Sequence, residues 1–229
     1  MDKIQLEGKD IYNSKNSKLL GIKIDGKLMF NDHVTDLCNK ASCKLHALAR
    51  ISSYMTQKQR KVIMNTFITS HFGYCPLVWM FHSRTLNNRI NKIHEKALRL
   101  VYNDSYSSFE ELLKMDKSFS IHERNIQLLS IELYKVVNNI SPEIMKLLFP
   151  LKSTLRYPNE NIFITNNIKT VSWGTESLKH IGPKIWQIIP DHIKNANTLE
   201  QFKKKIRKWK PKNCPCRLCK RFITGIGFL

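Results

Sequence analysis

Hydrophobic positions in this chain first alternate and then step by three and four. Leu20, Ile22 and Ile24 alternate with Gly21, Lys23 and Asp25. Asp25-Gly26 offers a turn, and Leu28, Met29 and Phe30 form a second short apolar run. That pattern predicts a β-hairpin over residues 19–33. A lone two-stranded hairpin is marginal in water, so it needs a surface to pack on, either in this chain or in a missing sheet. Residues 1–18 are polar and without period, and read as a flexible lead-in.

From 34 to 149 the period is helical. Val34, Leu37, Cys38, Ala41, Leu45 and Leu48 make one apolar face, with Asn31 or Asp32 as the expected cap. A second helix starts after Thr56, carries Val62, Ile63, Phe67 and Ile68, and is bent or broken by Gly73 and Pro76. A third runs from near Arg84 to about Tyr102, with Leu86, Ile90, Ile93, Ala97 and Leu100 facing inward. Ser107 or Ser108 caps a short helix in SSFEELL. The stretch from Ser120 to about Asn138 is apolar around most of its circumference, which predicts a central, buried helix. Pro142 is expected at the first position of a last short helix ending at Phe149.

Residues 150–161 read as a linker. NIFITNN and IKTVSW alternate like two short strands. Gly182-Pro183 precedes a short helix with Ile185, Trp186 and Ile189, and Thr198 caps a final helix, LEQFKKKIRKW. The fold class expected is mainly α: a helical bundle over 34–149, a β-hairpin in front, and a small α+β basic domain over 162–229 behind.

Charge changes the picture more than composition does. In 229 residues, 38 Lys and Arg face 18 Asp and Glu, a net charge of +20. Such an excess points to a polyanion: nucleic acid first, an anionic membrane surface second. No apolar run reaches the roughly 18 residues that span a bilayer, and the N-terminus has no apolar leader core. These features favour a reducing compartment, nucleus or cytoplasm, over secretion, and thiols or metal ligands over disulfides for the cysteines.

Two basic sets are spaced for phosphates. Arg89, Lys92, Lys96 and Arg99 step along about 15 Å of one helix face, away from its apolar stripe. The bland alternative is a solvated exterior. Lys203, Lys204, Lys205, Arg207, Lys208, Lys210 and Lys212 crowd the C-terminal helix and tail around Trp209, followed by Arg217, Lys220 and Arg221, and no acid follows Glu200. Cations around one aromatic ring suit a single strand, whose phosphates are neutralised while a base stacks.

Cys214, Cys216 and Cys219 form C-x-C-x-x-C. Closely spaced thiols in a reduced protein suit zinc, but a structural site needs four ligands. The fourth would come from elsewhere in the chain, such as His180 or His192, from a partner, or not exist. Cys38, Cys43 and Cys75 sit among apolar residues as core thiols. No catalytic constellation emerges: the aspartates are nowhere adjacent, there is no Gly-rich phosphate loop, and His46, His71, His82, His94 and His122 read as structural.

LHALARISSYM, FITSHFGYCPLVWMFHSRTLNNRINKIHEKALRLVYND, SFEELL, SIHERNIQLL, IGPKIWQIIP and FKKKIRKWKPKNCPCRLCK occur in that order. Over roughly residues 19–229 this resembles the C-terminal part of the reverse transcriptase of animal non-LTR (LINE-like, jockey-type) retrotransposons. The resemblance implies that LGIKID and LMF match the hairpin ending the polymerase palm, that the helices match the thumb, and that the Cys-rich end matches a short basic element. The palm's Mg²⁺-binding aspartate pair would lie upstream of LGIKID, and residues 1–18 lack it. The resemblance thus implies a non-catalytic fragment, with RNA or an RNA–DNA hybrid, and an intact reverse transcriptase in trans, as partners. The rival expectation is a helical protein-interaction or structural remnant with no nucleic-acid role.

Overall fold

The computed structural model describes residues 3–7, 9–12, 16–152, 162–165, 168, 170, 174, 177–212, 214–216 and 218–219. Two antiparallel hairpins open the chain: β1 (Lys3–Leu6) with β2 (Lys9–Tyr12), and β3 (Asn16–Leu19) with β4 (Ile22–Asp25). The hairpin therefore differs from the expected one. Ile22–Asp25 pairs backward, into the segment read as a lead-in, and Leu28–Phe30 is no strand. Two local causes account for this. Leu20 and Gly21 both adopt positive φ, 47° and 85°, which is the two-residue loop whose twist matches the flanking strands. The Asp25 carboxylate then accepts backbone N–H bonds from Lys27 (3.0 Å), Met29 (3.2 Å) and Phe30 (2.6 Å), which curls the next residues into a loop.

That loop leads into α1 (Asn31–Ile51). Its expected apolar face is buried in full, but neither Asn31 nor Asp32 caps it; the N-cap is Phe30, in the left-handed region. The hairpin finds its surface here. Ile22 is buried beside α1, Lys23 pairs with Asp36, and the Tyr74 hydroxyl donates to the Leu20 carbonyl at 2.8 Å. Leu19, Leu20 and Leu28 stay exposed.

Thr56 and Gln59 form a reciprocal capping box at the start of α2 (Gln57–Ile63). The helix continues as a π turn, Met64–Ile68, where the Thr69 N–H reaches the Met64 carbonyl, and ends as a 3₁₀ turn at Phe72. This wider turn rotates the side chains away from simple helical period. Met64, Ile68 and Phe72 are buried, whereas Val62 and Phe67, expected inside, are exposed. After α3 (Pro76–Trp79), Ser83 caps α4 (Arg84–Tyr102), and Ser108 with Glu111 boxes the start of α5 (Phe109–Asp116). Helix α4 buries Ile90, Ile93 and Ala97 as expected and adds His94, Leu98 and Val101, while Leu86 and Leu100 lie at the margin. These elements enclose the first core, which Ile121 completes.

The second core is built on α6 (Ile121–Val137), with α7 (Glu143–Leu148), α8 (Leu178–Ile188), α9 (Asp191–Lys194) and α10 (Leu199–Ile206) around it. As expected, α6 is buried on most sides. The helical segment before residue 150 and the basic segment after 162 share this core, so more than the linker joins them. Helix α8 begins earlier than expected and contains Gly182-Pro183. Gly182 lies so close to Phe149 that a Cβ would sit 2.5 Å from its ring, which makes the backbone approach itself part of the packing. Pro142 precedes α7 rather than opening it, and α10 stops at Ile206, short of Trp209. Of the two expected strands, Phe163 is fully buried and bridges Leu151; most of their other residues lie outside the described set. The described fold is thus mainly helical with antiparallel hairpins at its N-terminus. None of its helices is long and apolar enough to cross a membrane.

Two buried polar groups make the first core acid-sensitive. Burial, and after it Arg124, pushes the His94 imidazole down to about 3. The unfolded chain binds this proton near 6.5 and the folded chain does not, so stability declines as pH falls below 6.5. Asp116, buried and bonded to Lys61 (2.7 Å) and Tyr102 (2.8 Å), works at lower pH. Burial pushes its carboxyl up, but its hydrogen bonds outweigh burial and leave it below the usual carboxylate range. Its contribution is present at neutral pH and is lost as pH falls through that range. In urea melts, the His94→Leu variant is expected to lose about 1.4 kcal/mol per pH unit from the slope of stability between pH 4 and 6. An unchanged slope would assign the acid sensitivity to other groups.

Candidate metal centre and nucleic-acid interface

The start of α6 is set by a capping box. The Ser120 hydroxyl accepts from the Glu123 N–H, and the Glu123 carboxylate accepts from the Ser120 N–H at 2.8 Å. This fixes residue 122 in the first turn. Ile121 enters the first core, while the neighbouring His122 turns to the C-terminal tail. There the Cys219 N–H bonds the Cys216 carbonyl at 3.1 Å, a turn that folds C-x-C-x-x-C back on itself. Buried Leu218 fastens the turn to the second core.

His122, Cys214, Cys216 and Cys219 consequently offer four ligand atoms within 4.8 Å of one another, a group that can hold a metal ion. His122 Nε2 lies 3.2 Å from Cys216 Sγ and 4.0 Å from Cys214 Sγ. A tetrahedral zinc site with bonds of about 2.3 Å to sulfur and 2.0 Å to nitrogen has edges of about 3.5–3.8 Å, so these distances bracket the requirement. The thiols hydrogen-bond one another. Hydrogen bonds from Cys214 and Cys219 hold Cys216 far below the usual thiol range, and the same pairing with Cys216 pushes Cys214 up to about 12. Cys219 is likewise pushed up, first by Cys214. A buried thiolate is costly unless compensated, and a divalent cation compensates it.

The surroundings also fit. With Nε2 toward the sulfurs, Nδ1 of a neutral imidazole carries the proton and needs an acceptor. Nδ1 of His122 and Oδ1 of Asn91 are both buried without a hydrogen-bond partner, and both residues line one small cavity of about 160 Å³. Asn91 on α4 is thus an unpaired acceptor that shares this cavity with His122.

The fourth candidate ligand comes from elsewhere in the chain, as the spacing required, and is His122 rather than His180 or His192. His180 lies on α8 and His192 on α9, where its carbonyl accepts from Lys205 Nζ at 2.7 Å. His122 stands more than ninety residues before the cysteines, and linear spacing carries no sign of that distant pairing. Its only local signal is the capping box, which places it on a helix end rather than in mid-helix. Cys38 is buried as expected, but Cys43 and Cys75 are exposed rather than core thiols.

The basic residues divide by what they already hold. On α4, Lys92 and Lys96 are exposed. Arg89 is exposed but donates to Asn39 at 2.6 Å, and Arg99 is taken up by Glu95 at 2.7 Å and the Asp104 carbonyl. On α10, Lys203 pairs with Glu200, while Lys204 and Arg207 are exposed. Lys205, Lys208, Lys210 and Lys212 line an open cleft of about 740 Å³ with Trp209 and His192, floored by Ile188, Pro190 and Ile193. Trp209 is half-buried against the second core, and its carbonyl accepts from Gln127 Nε2 at 2.8 Å. Arg217, Lys220 and Arg221 lie outside the described residues.

No family model, curated protein or solved structure matches this chain.

Reduced protein is expected to take up one tetrahedral ion per chain, read by metal analysis and by the visible bands of a Co²⁺ substitute. His122→Ala should abolish those thiolate–imidazole bands, and Asn91→Ala should weaken uptake by about 10–100-fold. Uptake that survives His122→Ala but fails in His192→Ala would show that the ligand set is wrong.

Proposed function

We propose that this chain is a non-catalytic nucleic-acid-binding module of the kind that ends a non-LTR retrotransposon reverse transcriptase. Its helical body acts as a thumb, and its basic C-terminal element is a small domain pinned by zinc. The module holds an RNA template or an RNA–DNA hybrid through phosphates, alone or beside an intact reverse transcriptase, in the nucleus or cytoplasm. The Cys₃His set with no open position suits a structural zinc rather than a catalytic one.

One observation carries this reading: the open cleft in which four lysines surround a tryptophan, with no carboxylate among its lining residues. Several lysines give affinity for phosphates without base readout, and a tryptophan ring can stack on an unpaired base. The exposed pair Lys92 and Lys96 adds a second phosphate track on α4. The resemblance to the reverse transcriptase thumb supports the assignment to RNA; charge alone does not separate RNA from DNA.

The rival, a helical protein-interaction module, draws on α7, where Ile144 and Leu147 are largely exposed one turn apart. Salt distinguishes the two. On mixed-sequence RNA, the logarithm of affinity is expected to fall linearly with the logarithm of salt, by about 0.7 per phosphate neutralised on a single strand. Lys208→Ala with Lys212→Ala should lower that slope by about 1.4, and Lys92→Ala with Lys96→Ala should lower it on the α4 side. Primer extension with Mg²⁺ should yield no product. Salt-independent binding, or none at low salt, would favour the protein-interaction reading.

A further inference from the structure

The segment between α10 and the cysteines has an unusual load and few supports. Residues 207–212 carry Arg207, Lys208, Trp209, Lys210 and Lys212, yet form no helix or strand beyond a turn. Its upstream end hangs from α10, where Lys208 and Trp209 N–H groups bond the Lys205 and Ile206 carbonyls. Downstream of that turn, its polar supports among the described residues lie on the first two turns of α6. Gln127 donates to the Trp209 carbonyl at 2.8 Å, Glu123 sits 3.7 Å from Lys210 Nζ, and His122 meets the cysteine thiols. The segment is thus a strap laid along one end of α6 and fastened at Cys214, Cys216 and Cys219.

The strap is also self-repelling. Lys208, Lys210 and Lys212 share one cleft with Lys205 of α10, and the acids set against the strap are Glu123, 3.7 Å from Lys210 Nζ, and Glu200, which faces Arg207. Such a strap gains little from its own contacts, and fixing its far end removes much of its conformational freedom. The fastening at His122 is where the four ligand atoms that can hold a metal ion meet. The cleft wall, in turn, is the strap itself on one side and α9 on the other.

We infer that metal occupancy of His122, Cys214, Cys216 and Cys219 sets the shape of the Lys–Trp cleft, and so regulates this chain's grip on unpaired RNA. The inference rests on the reading of that cleft as a nucleic-acid site. Loaded, the strap holds Lys208, Lys212 and Trp209 against the α9 wall at fixed spacing. Without metal, the strap keeps its charge but loses its far anchor, and its cations no longer act as one track. On α4, Lys92 and Lys96 are not among the ligands and sit on a helix of the first core, so that track keeps its contribution. Affinity for single strands is therefore metal-dependent in part, and the metal-dependent part belongs to the strap.

The test is a fluorescence-anisotropy titration of labelled oligo(U) RNA with the full chain, under reducing conditions, over a series of salt concentrations. Metal-loaded protein is compared with protein stripped by a chelator, and helix content is followed by circular dichroism. Stripping is expected to weaken binding about tenfold and to reduce the salt slope by about 1.4, the share of two phosphates. His122→Ala should reproduce this loss. Lys208→Ala with Lys212→Ala should reproduce it in loaded protein, and stripping that variant should then add little. Lys92→Ala with Lys96→Ala should weaken loaded and stripped protein alike. Equal affinity and slope with and without metal would overturn the coupling while leaving the nucleic-acid reading in place. So would an equal effect of stripping on wild type and on the Lys208/Lys212 variant. Loss of helix content on stripping would overturn it as well, because the metal would then be a requirement of the fold. Failure of the loaded protein to bind oligo(U) at low salt would instead overturn the nucleic-acid reading itself.

Discussion

Helix α6 is buried on nearly every side, and a helix in that position must place its polar side chains against partners inside the protein. Much of the remaining architecture depends on how this is met. The Tyr134 hydroxyl donates to the Ala196 carbonyl at 2.7 Å, Gln127 to the Trp209 carbonyl, and His122 faces the cysteines. Each partner lies in the C-terminal segment, in places with little regular structure of their own. The polar groups of α6 therefore act as addresses for a chain that returns from far downstream. The apolar groups of the same helix close two cores, with Ile121 in the first and Ile126 onward in the second. Displacing α6 would open both cores and scatter the ligand set together.

Local chemistry makes much of this legible in the sequence. Thr56, Ser108 and Ser120 each precede a Gln or Glu by three residues, and each forms the capping box that spacing implies. The inward face of α1 is readable because its period is unbroken over the helix. Features that depend on distant or strained geometry are not. The strand Asn16–Leu19 is polar and exposed where described, so it shows no alternation, and its turn places Leu20 at positive φ, where sequence rules look for Asn or Gly. Pro183 reads as a helix breaker, yet it lies inside α8, where tertiary packing of Gly182 on Phe149 outweighs the local preference. At the candidate site, the cysteines can be named from spacing but their histidine cannot, because ligand identity is decided by packing.

Formal charge overstates the cations available to a polyanion. Several of the basic residues singled out by spacing are already engaged: Arg99 with Glu95, Lys203 with Glu200, Lys205 with the His192 carbonyl. Surface pairs of this kind contribute little to stability, but they fix where a side chain points. Among the described residues singled out by spacing, what remains is a smaller set: Lys92 and Lys96 on α4, Lys204 on α10, and Lys208 and Lys212 by the cleft. A spacing argument counts residues on a face; the structure sorts them by prior commitments.

The π turn at Met64–Ile68 bears on how this chain tolerates change in length. Its Thr69 N–H spans to Met64 where a regular helix would close one residue sooner. The helix thus carries one surplus residue, held as a bulge between α2, whose Ile63 packs at the margin of the first core, and the 3₁₀ turn that buries Thr69 and Phe72. Loss of one residue within the bulge returns the helix to ordinary winding, and the faces before and after it stay in register. Loss of one residue elsewhere in the same helix rotates everything beyond it by about 100° and carries Met64 or Ile68 out of the core. The first core therefore has one site along this helix at which an indel is a local event, and its position is set by geometry rather than by exposure.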